Sequence, residues 1–83
     1  MKPTELKGFR EKIDAVDDQI VELLAERAGY VKEVGKRKKA AKLPEFRPER
    51  EVEIIERMCE RNKLLNSGLP CKSIATFWLE IIS

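Results

Sequence analysis

LLAERAGYVKEVGKRK, residues 23–38, is the stretch on which the reading of this chain turns. It continues an apolar stripe that starts with Leu6, Phe9, Ile13, Val16, Ile20 and Leu23, the 3-4 spacing of one helix face. The next positions at that spacing are Arg27, Tyr30 and Val34, and one further turn reaches Lys38. A face that should look onto a core therefore carries an arginine and then a lysine. No proline interrupts the stripe, so it predicts one helix from about Thr4 to Ala41, with Thr4 as its N-cap. Gly8, Gly29 and Gly35 each cost about 1 kcal/mol against alanine, which close approach of another helix at those positions would offset.

Outward from this helix, AKLPEFRP (residues 41–48) forces a break, because Pro44 and Pro48 cannot both lie inside a continuous helix. Pro48 suits the first turn of a second helix, and Glu49 and Glu51 suit its positive end. The expected stripe there is Val52, Ile55, Met58 and Cys59, with Ile54 alongside, giving out near NKLLNSG (62–68). A third helix begins around Pro70 and is expected to bury Ile74, Phe77, Trp78, Ile81 and Ile82. Neither strand-like alternation nor an internal repeat is present. The fold class is all-α: three helices in one domain over residues 1–83, the first of them very long.

Length then argues for a second chain. A helix of about 36 residues spans ~54 Å at 1.5 Å per residue. A compact chain of this size would have a radius of gyration of only ~12 Å. Most of the first helix would lie outside any single-chain core with its apolar stripe in water, so a second copy on a two-fold axis is expected to cover it. The 83 residues are 42% hydrophobic and 39% charged, with 17 basic and 15 acidic side chains well mixed. That balance argues against nucleic acid or an anionic membrane as a partner. No apolar run approaches the ~20 residues of a membrane span, and the N-terminus lacks a signal-peptide core. A cytoplasmic location is expected, with Cys59 and Cys71 as reduced thiols.

Arg27 and Lys38 stand close to three turns apart, about 20° around the helix and ~16 Å along it, so their long side chains can converge on one small anion. Arg10 lies ~25 Å from Arg27 along the axis, too far to share that site except from an antiparallel partner helix. Arg50 sits in the first turn of the second helix, where the dipole disfavours a cation. A plainer account is that Arg27 snorkels from the edge of a drifting stripe and that Lys38 is one more solvated residue of KRKKAAK (36–42). On that account Glu26, Glu33 and Glu51 pair with these cations as surface acids commonly do. The chain has no histidine, which rules out Ser–His and Cys–His nucleophiles and most metal sites, and it has no glycine-rich phosphate loop. What remains is binding of a small polyanion, or a unimolecular rearrangement that needs only conformer selection and well-placed cations.

FREKIDAVDDQIVELLAERAGYVKEVGKRK (9–38), RPERE (47–51) and the closing FWLEIIS (77–83), taken together with their spacing, resemble the all-helical chorismate mutases. The resemblance is strongest to the N-terminal mutase domain of bifunctional mutase–prephenate dehydratase enzymes. It implies an interlocked homodimer of three-helix chains with two active sites. These convert chorismate to prephenate by a Claisen rearrangement, on the shikimate route to phenylalanine and tyrosine, without cofactor or metal. Arg27 and Arg50 would bind the substrate carboxylates together with Arg10 from the partner chain. Lys38 would hydrogen-bond the ether oxygen, and Glu51 would take the ring hydroxyl. A dehydratase domain in the full-length protein fits the same resemblance.

Two departures qualify it. Arg47 occupies a position where the family often has an aspartate that helps to bind the substrate. The family's third helix also normally continues to a serine and, one turn later, a glutamine that reaches the ether oxygen. This sequence stops at Ser83 in mid-stripe and without a cap, so an imposed boundary short of the helix's natural end is expected. Three rival readings remain: an isochorismate-pyruvate lyase on the same scaffold, a non-catalytic helical dimerisation or regulatory module, and nucleic-acid binding through KRKKAAK. Product analysis with both substrates separates the first, and a steep salt dependence of binding would be needed for the last.

Overall fold

The computed structural model describes residues 2–44 and 47–82. Met1, the middle of the expected break (Glu45 and Phe46) and the last residue of the closing motif, Ser83, lie outside them. Three helices follow in order: α1, Pro3–Ala40; α2, Pro48–Leu65; and α3, Cys71–Ile82. No strand occurs among the described residues. The chain divides into two units, Met1–Glu45 and Phe46–Ser83.

The first unit is α1. It starts earlier than a cap at Thr4 would set it: Lys2 is the N-cap, in extended conformation, and Pro3 occupies the first helical position. No side chain caps this end, so the fixed φ of proline outweighs the threonine hydroxyl in placing it. At 38 residues the helix is about 57 Å long. No residue of α1 is buried, and the apolar stripe is exposed along its length, from Leu6 at 42% to Leu23 at 63%. Among the described residues a Cβ at Gly8, Gly29 or Gly35 would meet nothing within 4 Å, so no described residue of α1's own unit makes the close approach expected at these glycines.

Its C-terminus is closed by backbone geometry. Lys42 adopts a left-handed conformation (φ 57°), Leu43 N–H donates to the Lys38 carbonyl at 2.8 Å, and Lys42 N–H donates to the Lys39 carbonyl at 3.2 Å. This paired 6→1 and 5→2 arrangement is a Schellman motif, with a lysine where glycine is usual. Arg37, Lys38 and Lys39 crowd the same last turn, where the negative end of the helix dipole favours cations.

The second unit is an α2–α3 pair. Arg47 is the N-cap of α2 and Pro48 takes the first position, as the sequence predicts. The buried position is Ile54, 7% exposed, whereas Val52 is 54% exposed. The stripe therefore runs through Ile54, Ile55, Met58 and Cys59, turned away from Val52; α2 packs on α3, whose half-buried residues are Ile74, Ala75, Trp78, Ile81 and Ile82. Phe77, expected inside, is 43% exposed and meets Trp78 edge-on, with ring centroids 5.6 Å apart. At 100° per residue Phe77 lies about 100° around α3 from the centre of that half-buried face, at its edge.

The expectation of two reduced thiols is overturned: Cys59 and Cys71 form a disulfide, with Cα atoms 5.2 Å apart. Sequence spacing of 12 gave no metal or redox motif, but the turn between the helices brings the last turns of α2 against the start of α3. Closing a loop of this size contributes roughly 3 kcal/mol in the chain-entropy account. That is substantial for a helix pair whose core has a single buried residue. Asn66 ends α2 in left-handed conformation, and Gly68 follows with φ 82°.

Candidate functional site

The sequence candidates fall on two elements. Arg10, Arg27 and Lys38 belong to α1; Arg50 and Glu51 belong to the first turn of α2. On α1, continuous helix from Pro3 to Ala40 keeps Arg27 and Lys38 in the register that their spacing implies, about 20° and ~16 Å apart. Arg10 lies ~25 Å from Arg27 and about a quarter-turn off its face, and it is exposed. Within one chain, then, α1 brings two of its three candidate cations together and leaves the third apart.

Burial singles out the same residues. Among the described residues, Arg27 and Lys38 are the only basic side chains that are half-buried, and every other lysine and arginine is exposed. Glu51 is likewise the only half-buried acid among them. The edge-snorkelling account predicts no such selection, since it treats Lys38 like its neighbours Arg37 and Lys39. Arg37 shows what an ordinary residue of this run does: it is exposed, and its Nε donates to Glu33 one turn earlier at 3.3 Å. Glu33 thus pairs with Arg37, a partner the sequence reading did not consider.

At the start of α2, Pro48 sets the helix entry so that Arg50 and Glu51 both lie in the first turn. Arg50 N–H donates to the Arg47 carbonyl at 3.0 Å, which fixes the backbone of that turn. The Arg50 guanidinium lies 3.5 Å from Glu53, and Arg47 Nε donates to Glu49 at 3.0 Å. Arg47, the departure from the family pattern, therefore has a local acid against it. Both pairs are more than half exposed, so each contributes little to stability and can be exchanged for another anion at small cost. Glu53 was not among the sequence candidates, although its i,i+3 spacing from Arg50 is a readable signal.

On α1 the two half-buried cations can bind an anion, and on α2 the half-buried Glu51 carboxylate can accept a hydrogen bond from a hydroxyl. It offers no histidine to act as a general base. Solved structures place the class. The chain resembles the chorismate mutase (form I) from Thermus thermophilus with a TM-score of 0.86 and 28% identity, over 94% of each chain. The fold is that of a helical chorismate mutase. The family model for chorismate mutase type II matches residues 9–83, and the chain belongs to that family.

Among curated relatives, the bifunctional chorismate mutase/prephenate dehydratase of Aquifex aeolicus is 42% identical over 80 residues, covering 95% of this chain. The T-protein of Haemophilus influenzae is 39% identical over 51 residues, or 61% of this chain. The chain spans about a fifth of the length of the bifunctional relatives, 22% of the Aquifex protein.

Proposed function

We propose that this chain catalyses the rearrangement of chorismate to prephenate, with Arg27, Lys38, Arg50 and Glu51 forming the site together with Arg10 of a second copy. The observation that carries the proposal is the burial pattern. Among the described charged side chains, Arg27, Lys38 and Glu51 alone are half-buried, and they are the three residues to which the family resemblance gives catalytic roles. Membership of the chorismate mutase type II family supports the same substrate.

The chemistry follows from what the side chains can do. Chorismate is a dianion, and its rearrangement needs the enolpyruvyl side chain folded over the ring. Arg27 and Arg50 bind the carboxylates and hold that folded conformer, which supplies rate by orientation rather than by a covalent step. As the ether C–O bond lengthens, negative charge grows on its oxygen, and the Lys38 ammonium donates to it. Glu51 accepts from the ring hydroxyl and fixes the ring's angle. No proton leaves the substrate and no nucleophile is required, in keeping with a chain that has no histidine.

The exposed stripe of α1 supports a homodimer. Packing α1 against an antiparallel copy covers Leu6 to Val34 and carries a partner Arg10 toward Arg27. The length of the curated relatives supports a mutase domain that works beside a prephenate dehydratase in one polypeptide. No described helix is long and apolar enough to cross a membrane, and a cytoplasmic enzyme of aromatic amino-acid synthesis fits.

The test is prephenate formation from chorismate by the 83-residue chain against a buffer blank, with isochorismate run in parallel. Acceleration by several orders of magnitude with chorismate is the expected result. Pyruvate release from isochorismate, with no prephenate from chorismate, would reassign the chain to the lyase activity. Binding of chorismate without turnover would leave a non-catalytic module.

A further inference from the structure

The loop between α2 and α3 is held in shape by side chains before any sulfur chemistry is considered. Asn62 donates from Nδ2 to the Leu69 carbonyl at 2.8 Å, and its Oδ1 accepts a hydrogen bond from the Ser67 hydroxyl. Leu69 N–H in turn donates to Ser67 Oγ at 3.0 Å. Left-handed φ at Asn66 and Gly68 turns the backbone through the bend. These contacts bring Cys59 and Cys71 to a Cα separation of 5.2 Å, inside the range that a disulfide requires.

Cys59 is half-buried and Cys71 is exposed, so a small thiol or disulfide can reach the pair from the Cys71 side. If the bond opens, Cys59 Sγ already lies 3.5 Å from the Cys71 carbonyl, an acceptor for the thiol that forms. We propose that Cys59–Cys71 is a reversible redox clamp on the α2–α3 unit, closed by exchange with a small-molecule disulfide such as glutathione disulfide and preorganised by the Asn62–Ser67 loop. The Cys71 thiolate attacks the small disulfide and displaces one thiolate, leaving a mixed disulfide. The Cys59 thiolate then displaces the second. The two cysteines give up two electrons and two protons, and one disulfide becomes two thiols.

With one buried residue in the α2–α3 core, the clamp sets how firmly α3 is held to the helix that carries Arg50 and Glu51. Because its readouts are thiol content and melting, the clamp is tested independently of the catalytic assignment.

The experiment equilibrates the full chain in glutathione buffers from reducing to oxidising, quenches with acid, alkylates and weighs the product. At the oxidising end neither cysteine is expected to alkylate and the single chain is two hydrogens lighter; at the reducing end both alkylate. Tm is expected to fall by about 12–24 °C on reduction, and Cys71→Ser should abolish that redox dependence. Asn62→Ala should demand an at least fivefold more oxidising buffer for half-closure, and Ser67→Ala serves the same purpose if the asparagine variant does not fold. Two free thiols under oxidising conditions, disulfides between chains, or a Tm indifferent to reduction would each overturn the clamp. An unchanged midpoint in both loop variants would overturn the preorganisation.

Discussion

At the residue scale, the informative contrast is between neighbours of identical chemistry. Lys38 is half-buried while Lys36 and Lys39 are exposed, and all belong to about one turn of helix. If Lys38 donates to the ether oxygen in a water-poor pocket, Lys38→Ala should lower kcat by at least about 10²-fold, the scale of removing one oxyanion-type donor. Turnover near that of the parent would sink the role. If Arg27 binds a substrate carboxylate as proposed, Arg27→Ala should raise KM and lower kcat together, because that carboxylate loses its partner; steady-state kinetics separates this from a purely structural arginine, which would leave KM alone. Glu53 bears on binding from the other direction. It holds the Arg50 guanidinium at 3.5 Å, and on the proposed assignment it would compete with the substrate for it. An exposed pair of this kind is worth about 0.2–1 kcal/mol, so Glu53→Ala should lower KM by about 1.4- to 5-fold with kcat unchanged. A rise in KM would show instead that Glu53 positions the arginine.

At the element scale, the start of α2 was legible from its proline, whereas the start of α1 was placed two residues late and its end, where a lysine stood in for glycine, was illegible. Pro48 announces α2, and α2 begins there. Thr4 looked like a cap for α1, yet Pro3 takes the first position and Lys2 the cap. Nothing in KKAAKLP predicts a Schellman closure, since Lys42 must adopt φ 57° at an energetic cost that glycine avoids. Lys42→Gly should therefore raise stability by about 0.5–1 kcal/mol, read as a higher urea midpoint with the same m-value; a lower midpoint would mean that the lysine side chain, not its backbone, matters there. Within α2 the stripe was legible except for its rotation: Ile54 and not Val52 faces α3, because the exact rotation of a short helix is fixed by the helix it packs on.

At the scale of the whole molecule, α1 has an exposed stripe and no buried residue, while the α2–α3 unit has one among the described residues. A 38-residue helix cannot be stable in isolation with Leu6, Phe9, Ile13, Val16, Ile20 and Leu23 in water, so association with a second copy should carry much of its stability. Sedimentation should give twice the 9.6 kDa chain mass, and Tm should rise with protein concentration; a monomer with concentration-independent melting would refute the homodimer. The amino-acid sequence by itself determined the three helices, the face shared by Arg27 and Lys38, and the family, because these rest on local periodicity and on residue types at fixed spacing. Tertiary structure alone decided that Cys59 meets Cys71, that Ile54 is the buried residue, and which charged side chains leave the solvent. The first two depend on segments distant in sequence coming together, and the hydrogen bonds of the Asn62–Ser67 loop cannot be read from the spacing of the residues they connect; the third depends on the rotamers that long side chains take along their own helix.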